Sequence, residues 1–377
     1  MVVSRLSGLA FGLVFLATLG CDSAEPESVQ DVTLASPSGG LELMVETDDA
    51  GRLSFTVTKN GETVVETSPM GLSSTTHDLS SGVTMSRGSS RTIDESYTMP
   101  TGKRSGRRVL GRETIVPLEG ANGERAELLL RAHQDGVAFR YRLLGEGESE
   151  VTSESTGFAI PDGARVLTRA YDGGDLVFVP TAGEYQQPPV ILSLGESIER
   201  TGFAFPTAFE LSGGSGYVLL SEADLDGSYC GTRLNEMPEG NLYRIRFPDE
   251  REGKGVGEVL PKSPLPLATP WRVILVGELA TMVESTLIDD LSAPSALQDE
   301  TWILPGRAAW SWFSQETGTP ELQAEYIDFA AEYGWDYVLI DAKWDQWEDA
   351  EQQVRDLVAQ AESAGVRLLL WYNSGGP

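Results

Sequence analysis

The chain has 377 residues, 40% of them apolar and 23% charged, with 57 acidic residues against 28 basic ones and a formal net charge of −29. That length accommodates two domains, each with a core of its own. The acidity speaks against a nucleic-acid partner, because phosphate binding needs a basic surface; a solvated acidic surface, a calcium site or a saline habitat are the readings left.

The first predicted element is an export signal. Arg5 is the only charge before an apolar run from Leu6 to Leu19, short for a bilayer span but of signal-peptide length. The run ends Leu19-Gly20-Cys21, which resembles a bacterial lipoprotein box, with Thr18 where an aliphatic residue is usual. On that reading residues 1–21 are the signal, Cys21 becomes the lipidated N-terminus, and residues 22–31 form a polar tether to a membrane lipid. A plain secretory signal or a short anchor is the alternative. Both export the chain to the periplasm or cell envelope. Cys230 is the second of two cysteines, so a lipidated Cys21 leaves no internal disulfide. His77 and His133 form no recognised zinc spacing with Cys230 and serve no elbow-type serine. His133, beside Asp135, reads as a surface residue.

From Val32 to about Arg272 the apolar pattern has period two. Val137, Phe139, Tyr141 and Leu143 share one face while Arg140 and Arg142 take the other; Tyr243, Ile245 and Phe247 alternate likewise with Arg244 and Arg246. Asn60-Gly61 between two such runs is a strong hairpin signal. Many short strands with hardly a helix predict a large antiparallel β-sandwich over residues 32–297.

After Pro294 the period changes. Ala308–Phe313 reads as a strand. A helix follows, with Thr319 as N-cap, Pro320 in its first turn and Gly334 as its stop; Leu322, Tyr326, Phe329, Ala330 and Tyr333 supply its apolar positions. Then come a strand ending near Asp341, a second helix with Val354, Leu357, Val358 and Ala361 on one face, Gly365 closing it, and a third strand from Val366 to Tyr372. Strand–helix alternation implies parallel pairing with right-handed crossovers. A closed eight-stranded barrel takes about 200 residues or more, so residues 298–377 read as the first three strands of an incomplete (β/α)8 TIM barrel. A finished three-stranded appendage would leave Leu368–Trp371 as a bare edge.

Several stretches carry a family resemblance: DGVAFRY (Asp135–Tyr141), SEADL (Ser221–Leu225), TPWRVILVGELATMVESTL (Thr269–Leu287), WILPGRAAWSW (Trp302–Trp312), YVLIDAKW (Tyr337–Trp344) and LLLWYNSGG (Leu368–Gly376). In that order they resemble glycoside hydrolase family 97, exported bacterial enzymes acting on α-glucosides or α-galactosides. The resemblance implies a mutarotase-like β-super-sandwich packed on a (β/α)8 barrel, with calcium in the active site. It implies glutamate acid and base in inverting members and an aspartate nucleophile in a retaining branch. Those carboxylates lie later in the barrel, and no position here matches them. One calcium ligand comes from a sandwich segment similar to AGEYQQPP, which makes Glu184 the metal candidate; an ordinary loop carboxylate is the other reading. Where the family commonly has glycine after Asp-Ala, this chain has Lys343.

Barrel sites lie at the C-terminal ends of strands, which singles out Trp310, Trp312, Asp341, Lys343, Trp344, Asn373 and Ser374. Seven of the eight tryptophans fall between Trp302 and Trp371, an enrichment that suits stacking on sugar rings, though large aromatic rings equally serve as core; Trp335 and Trp371 read as packing residues. The substrate-binding candidates are therefore Trp310, Asp341, Trp344 and Asn373, facing an oligosaccharide or α-glycoside. Asp341 and Asp345 have no partner carboxylate on a facing strand, so this stretch is expected not to catalyse by itself. A non-catalytic sugar-binding lipoprotein is the alternative function. A mutarotase-like epimerase is poorly served by His77 and His133.

Overall fold

The computed structural model describes residues 27–172, 181–182, 189–198, 202–249 and 258–372. Period-two patterning becomes antiparallel sheets. A twelve-stranded sheet faces a seven-stranded one, and a three-stranded sheet closes one side. The Asn60-Gly61 turn joins strands Leu53–Lys59 and Glu62–Pro69, both turn residues having positive φ (52° and 85°). Such a turn matches the right-handed strand twist.

Alternation along Gly136–Leu143 puts Val137, Phe139, Tyr141 and Leu143 in the core between the sheets. Phe139 meets Phe55 of the opposite sheet at a ring separation of 5.0 Å, and Phe55 meets Phe158 at 5.9 Å. A second aromatic group gathers Phe203 and Phe209 around Tyr243, at 5.4 and 5.0 Å. Strand Ser28–Val29 pairs with Ser86–Met85, inside the stretch read as tether.

Strand Trp271–Gly277 is buried along its whole length. Arg272 lies fully inside: its Nε and Nη2 donate to the two oxygens of Glu154 (2.9 and 2.5 Å), and Nη1 donates to Glu222 (2.7 Å). Burial disfavours the charged guanidinium, but Glu154 and then Glu222 outweigh that and hold its pKa above the usual arginine value. For Glu222 burial wins over Arg272, and its carboxyl is pushed up.

His133 departs from the surface reading. It is 3% exposed, its Nδ1 is 3.2 Å from the Leu110 carbonyl, and its ring fills the space that a Cβ on Gly111 would need. Burial, with Arg131 acting in the same direction, outweighs Asp135 and Asp290 and keeps its pKa below the ordinary histidine value.

Beyond the sandwich, helices Leu279–Glu284 and Leu287–Leu291 bury Met282, Leu287 and Leu291 against Trp271, Val273 and Leu275. Strands Ala308–Trp310, Tyr337–Ile340 and Arg367–Leu370 form one parallel sheet in sequence order. Helices Pro320–Glu332 and Ala350–Ala364 connect them. Thr319 accepts the Leu322 N–H as N-cap, and Gly365 closes the second helix at φ 73°. Two expectations are corrected. The first strand ends at Trp310, because Ser311 accepts the Ser314 and Gln315 N–H groups and starts the short helix Trp312–Gln315. The helix after Thr319 buries Gln323, Ile327 and Ala330. Phe329 and Tyr333 are exposed and stack instead on each other, with Trp335 against Phe329.

Arg272→Met would leave Glu154 and Glu222 buried without their cation. Removing one partner of a buried ion pair costs about 3–5 kcal/mol, a loss to be read from urea unfolding at pH 7. Arg272→Lys, which keeps the charge without the fork, should lose less. An unchanged midpoint in the methionine variant would refute this account.

Candidate functional site

Two loops after the parallel strands are tied together by unusual backbone. Ser311 is wholly buried; its hydroxyl donates to the Glu316 carbonyl (2.6 Å) and accepts from Gln323 Nε2 (2.9 Å). Gln323 also donates to the Thr317 carbonyl (2.6 Å), which explains why a polar residue takes a core position of the helix. Glu316 adopts φ 54°, ψ −149°, a region that is essentially glycine's own. Thr317 donates to the Ala342 carbonyl, and so clips the first loop to the second.

At the strand ends the Trp310 indole N–H donates to Asp341 Oδ2 (2.8 Å), while Oδ1 accepts the Ala342 N–H (2.6 Å). Asp341 is 7% exposed. An ionised carboxylate accepts at about four lone-pair positions, so both oxygens retain acceptor capacity beyond these two bonds. The Phe313 ring stands edge-on to Trp310 at 4.8 Å.

Lys343 occupies a left-handed position, φ 73°. A side chain there costs about 1–2 kcal/mol that glycine avoids. Its ammonium turns away to Glu316 (3.3 Å), both side chains being well exposed. Trp344 Nε1 donates to the Trp371 carbonyl (2.9 Å), and its ring meets Tyr372 at 5.5 Å. Thus Trp310 and Asp341 form one contact pair, and Trp344 joins the second loop to the end of the third strand. Trp312 opens the short helix. Cys21, Glu184, Asn373 and Ser374 lie outside the described residues. Sequence reasoning missed Ser311, Phe313, Glu316 and Gln323; a serine between two tryptophans was the one available signal.

An apolar groove of about 680 Å³ runs along the sheet between Trp302, Leu304, Val358 and Leu369, but it opens toward the strands' N-terminal ends, at Ala308, Tyr337 and Arg367. In parallel βα folds that end serves stability.

Calcium takes about six to eight oxygen ligands. No group of three or more His, Cys, Asp or Glu side chains converges among the described residues. The described residues do not fit a calcium ion by themselves.

The sequence model described as Glycosyl-hydrolase 97 N-terminal matches residues 34–294. A probable retaining alpha-galactosidase of Streptomyces bingchenggensis is 34% identical over 92% of this chain and 54% of its own length. A retaining alpha-galactosidase of Bacteroides thetaiotaomicron is 24% identical over 95% of this chain and 58% of its own. The chain spans about half the length of these curated relatives. Among solved structures, a beta-arabinopyranosidase aligns with TM-score 0.83 and 32% identity over 92% of this chain and 56% of its own. The residues before the parallel sheet cannot supply that coverage alone, so the likeness extends into it. A glycoside hydrolase family 97 enzyme of Pseudoalteromonas sp. strain K8, in complex with panose, shares the fold with TM-score 0.72 and 22% identity, over 89% of this chain and 53% of its own.

Trp310→Phe keeps an aromatic ring, a smaller one, and removes the N–H that Asp341 accepts. Loss of one partner from a buried hydrogen bond costs about 1–3 kcal/mol, to be measured as a lowered urea midpoint; a wild-type midpoint would show that the pair is not formed.

Proposed function

The chain belongs to glycoside hydrolase family 97, and from that premise we propose that it serves the hydrolysis of α-glycosides of galacto configuration. The observation that carries this reading is the Trp310–Asp341 pair, a buried carboxylate and an aromatic ring at adjacent parallel strand ends. Such a pair offers a sugar fixed acceptors for its hydroxyls and an apolar plane for its C–H face. The galacto configuration rests on the relatives. Two are named retaining alpha-galactosidase, one of them as probable, and a third beta-arabinopyranosidase. A β-L-arabinopyranoside has the ring configuration of an α-D-galactopyranoside without its C6 carbon, so one pocket shape suits both.

Glycoside cleavage needs two carboxyls flanking the bond, roughly 5 Å apart for retention or about 6.5–9.5 Å for inversion. Asp341 is held by two donors, which suits it to position substrate; acid, base and nucleophile are assigned to none of the described residues. The calcium ion implied by the family resemblance would draw on oxygens beyond those described, Glu184 among them.

Protein produced from its own gene should release nitrophenol from p-nitrophenyl α-D-galactopyranoside and β-L-arabinopyranoside and leave the α-D-glucopyranoside largely uncleaved. Asp341→Asn should raise KM about tenfold or more, equivalent to 1.4 kcal/mol. Preference for the glucoside, or sugar binding with no cleavage of any of the three, would overturn the reading.

Export is proposed on the N-terminal pattern, with Cys21 as the acylated residue. Cys21→Ser should move the protein from the membrane fraction to the soluble one; unchanged membrane association would sink it.

A further inference from the structure

A polar cavity lies on the sandwich, remote in sequence from the parallel strands. Its volume is about 370 Å³, within the roughly 300–1,000 Å³ usual for small-molecule sites. Arg140, from strand Gly136–Leu143, forms one wall. Asp224, Asp226, Ser228 and Tyr229, in the segment after strand Tyr217–Ala223, form another, and Leu267 lies opposite.

Each polar group in this cavity is held in place with capacity to spare. Arg140 lies over the Trp271 indole, 4.4 Å from its centre, and donates from Nη1 to Asp224 Oδ2 (2.8 Å). Its Nε is buried with no hydrogen-bond partner among the described residues. Asp224 Oδ1 accepts the Ala293 N–H (2.7 Å), and the residue sits at φ 61°. Asp226 uses Oδ1 for the Ser228 N–H (2.8 Å) and hydroxyl (2.5 Å), which leaves Oδ2 uncommitted among the described residues. Tyr229 and Leu267 are buried beneath the cavity, and the exposed prolines Pro264 and Pro266 add apolar surface.

The charges discriminate between ligand classes. One guanidinium against two carboxylates gives a net negative cavity, which repels anions. A metal cation finds one uncommitted Asp226 oxygen here, against the about six to eight oxygens that calcium takes. What remains is a neutral molecule with both donors and acceptors and one apolar face. We infer that this cavity is a second carbohydrate-recognition site, binding a single hydroxyl-rich ring between Arg140 and Asp226 with Pro264 and Pro266 as its apolar wall. The choice of a galactoside as its ligand rests on the function proposed above; the site itself does not. A ring held on the sandwich would keep a branched or polymeric glycoside near the protein between cleavage events, by raising its effective concentration.

The test uses methyl α-D-galactopyranoside and the Asp341→Asn protein, in which the strand-end site is weakened. Saturation-transfer NMR and calorimetry should still detect millimolar binding. Adding Asp226→Asn, which preserves shape but replaces the free acceptor with a donor, should weaken it at least about tenfold; a thermal midpoint equal to that of the Asp341→Asn parent would show the fold intact. Sulfate should not compete. Binding that is absent from the Asp341→Asn protein, indifferent to Asp226→Asn, or displaced by sulfate overturns the inference. Failure of the hydrolytic reading looks different: no cleavage by the unmodified protein, with Asp226-dependent binding retained.

Discussion

The Arg272 guanidinium is the fixed point of the sandwich. It is a full charge with no access to water, and it is stable there because two carboxylates from two other strands converge on it. Glu154 comes from strand Glu148–Glu154 of the three-stranded sheet, whereas Glu222 and Arg272 belong to neighbouring strands of the twelve-stranded one. A fork of two parallel bonds fixes direction as well as distance. The cluster thereby sets how the small sheet meets the large one, and a hydrophobic substitute of equal volume would lack that directionality.

The adjacent residue carries the constraint to the opposite face. Trp271 is fully buried, with the guanidinium groups of Arg131 and Arg140 at 4.7 and 4.4 Å from its ring. Arg131 in turn shares the buried carboxylate of Glu113 with Arg91. The strand therefore has an ion-paired face and an aromatic–cation face, and it leads directly into helices Leu279–Glu284 and Leu287–Leu291. The long hairpin Ser89–Thr98 and Gly106–Glu119 grips those helices from outside. Tyr97 donates to Asp290 (2.6 Å), Arg107 to Asp289 (3.1 Å) and Lys103 to the Ser285 carbonyl (2.7 Å). The stretch that leads from the sandwich toward the parallel strands thus begins from an anchored position.

Features written in local sequence were legible. Asn60-Gly61 dictates its turn because both residues tolerate positive φ. Thr319-Pro320 dictates a helix start because cap and ring geometry act within one turn. Alternation in Val137–Leu143 names the core face directly. What could not be read depends on residues distant in sequence. Glu154, Glu222 and Arg272 are separated by dozens of residues, and nothing local marks them as partners. His133 borders Asp135 before strand Gly136–Leu143, so it reads as exposed until the structure makes it the last residue of strand Arg125–His133, paired with Gly111 beside Leu110. Gln323 was passed over for the opposite reason: its neighbours Leu322 and Phe329 look like better core residues, and only the amide acceptors at Ser311 and Thr317 reverse the choice. Of the candidate site, Trp310 and Asp341 were named from position alone, while their direct hydrogen bond required the parallel register of their strands.

Backbone strain separates the turns that build the fold from those that shape a site. Five non-glycine residues among those described have positive φ: Asn60, Asp224, Glu316, Lys343 and Asp349. Asn60 is accounted for by its hairpin. The other four lie in the segments after strands, where Asp224 lines the polar cavity and the remaining three follow the first two parallel strands. Each costs about 1 kcal/mol or more, and Glu316 occupies the least accessible region of the set. Glycine takes the same conformation without the side-chain penalty. Here the strain is held by specific bonds: Ser311 to the Glu316 carbonyl, Thr317 to the Ala342 carbonyl, and the Trp347 indole to the Gly318 carbonyl. Those bonds close the two loops against each other beside Asp341. The role proposed for Asp341, accepting hydroxyls in one orientation, calls for such a rigid surround, because positioning error is what a substrate-binding group can least tolerate.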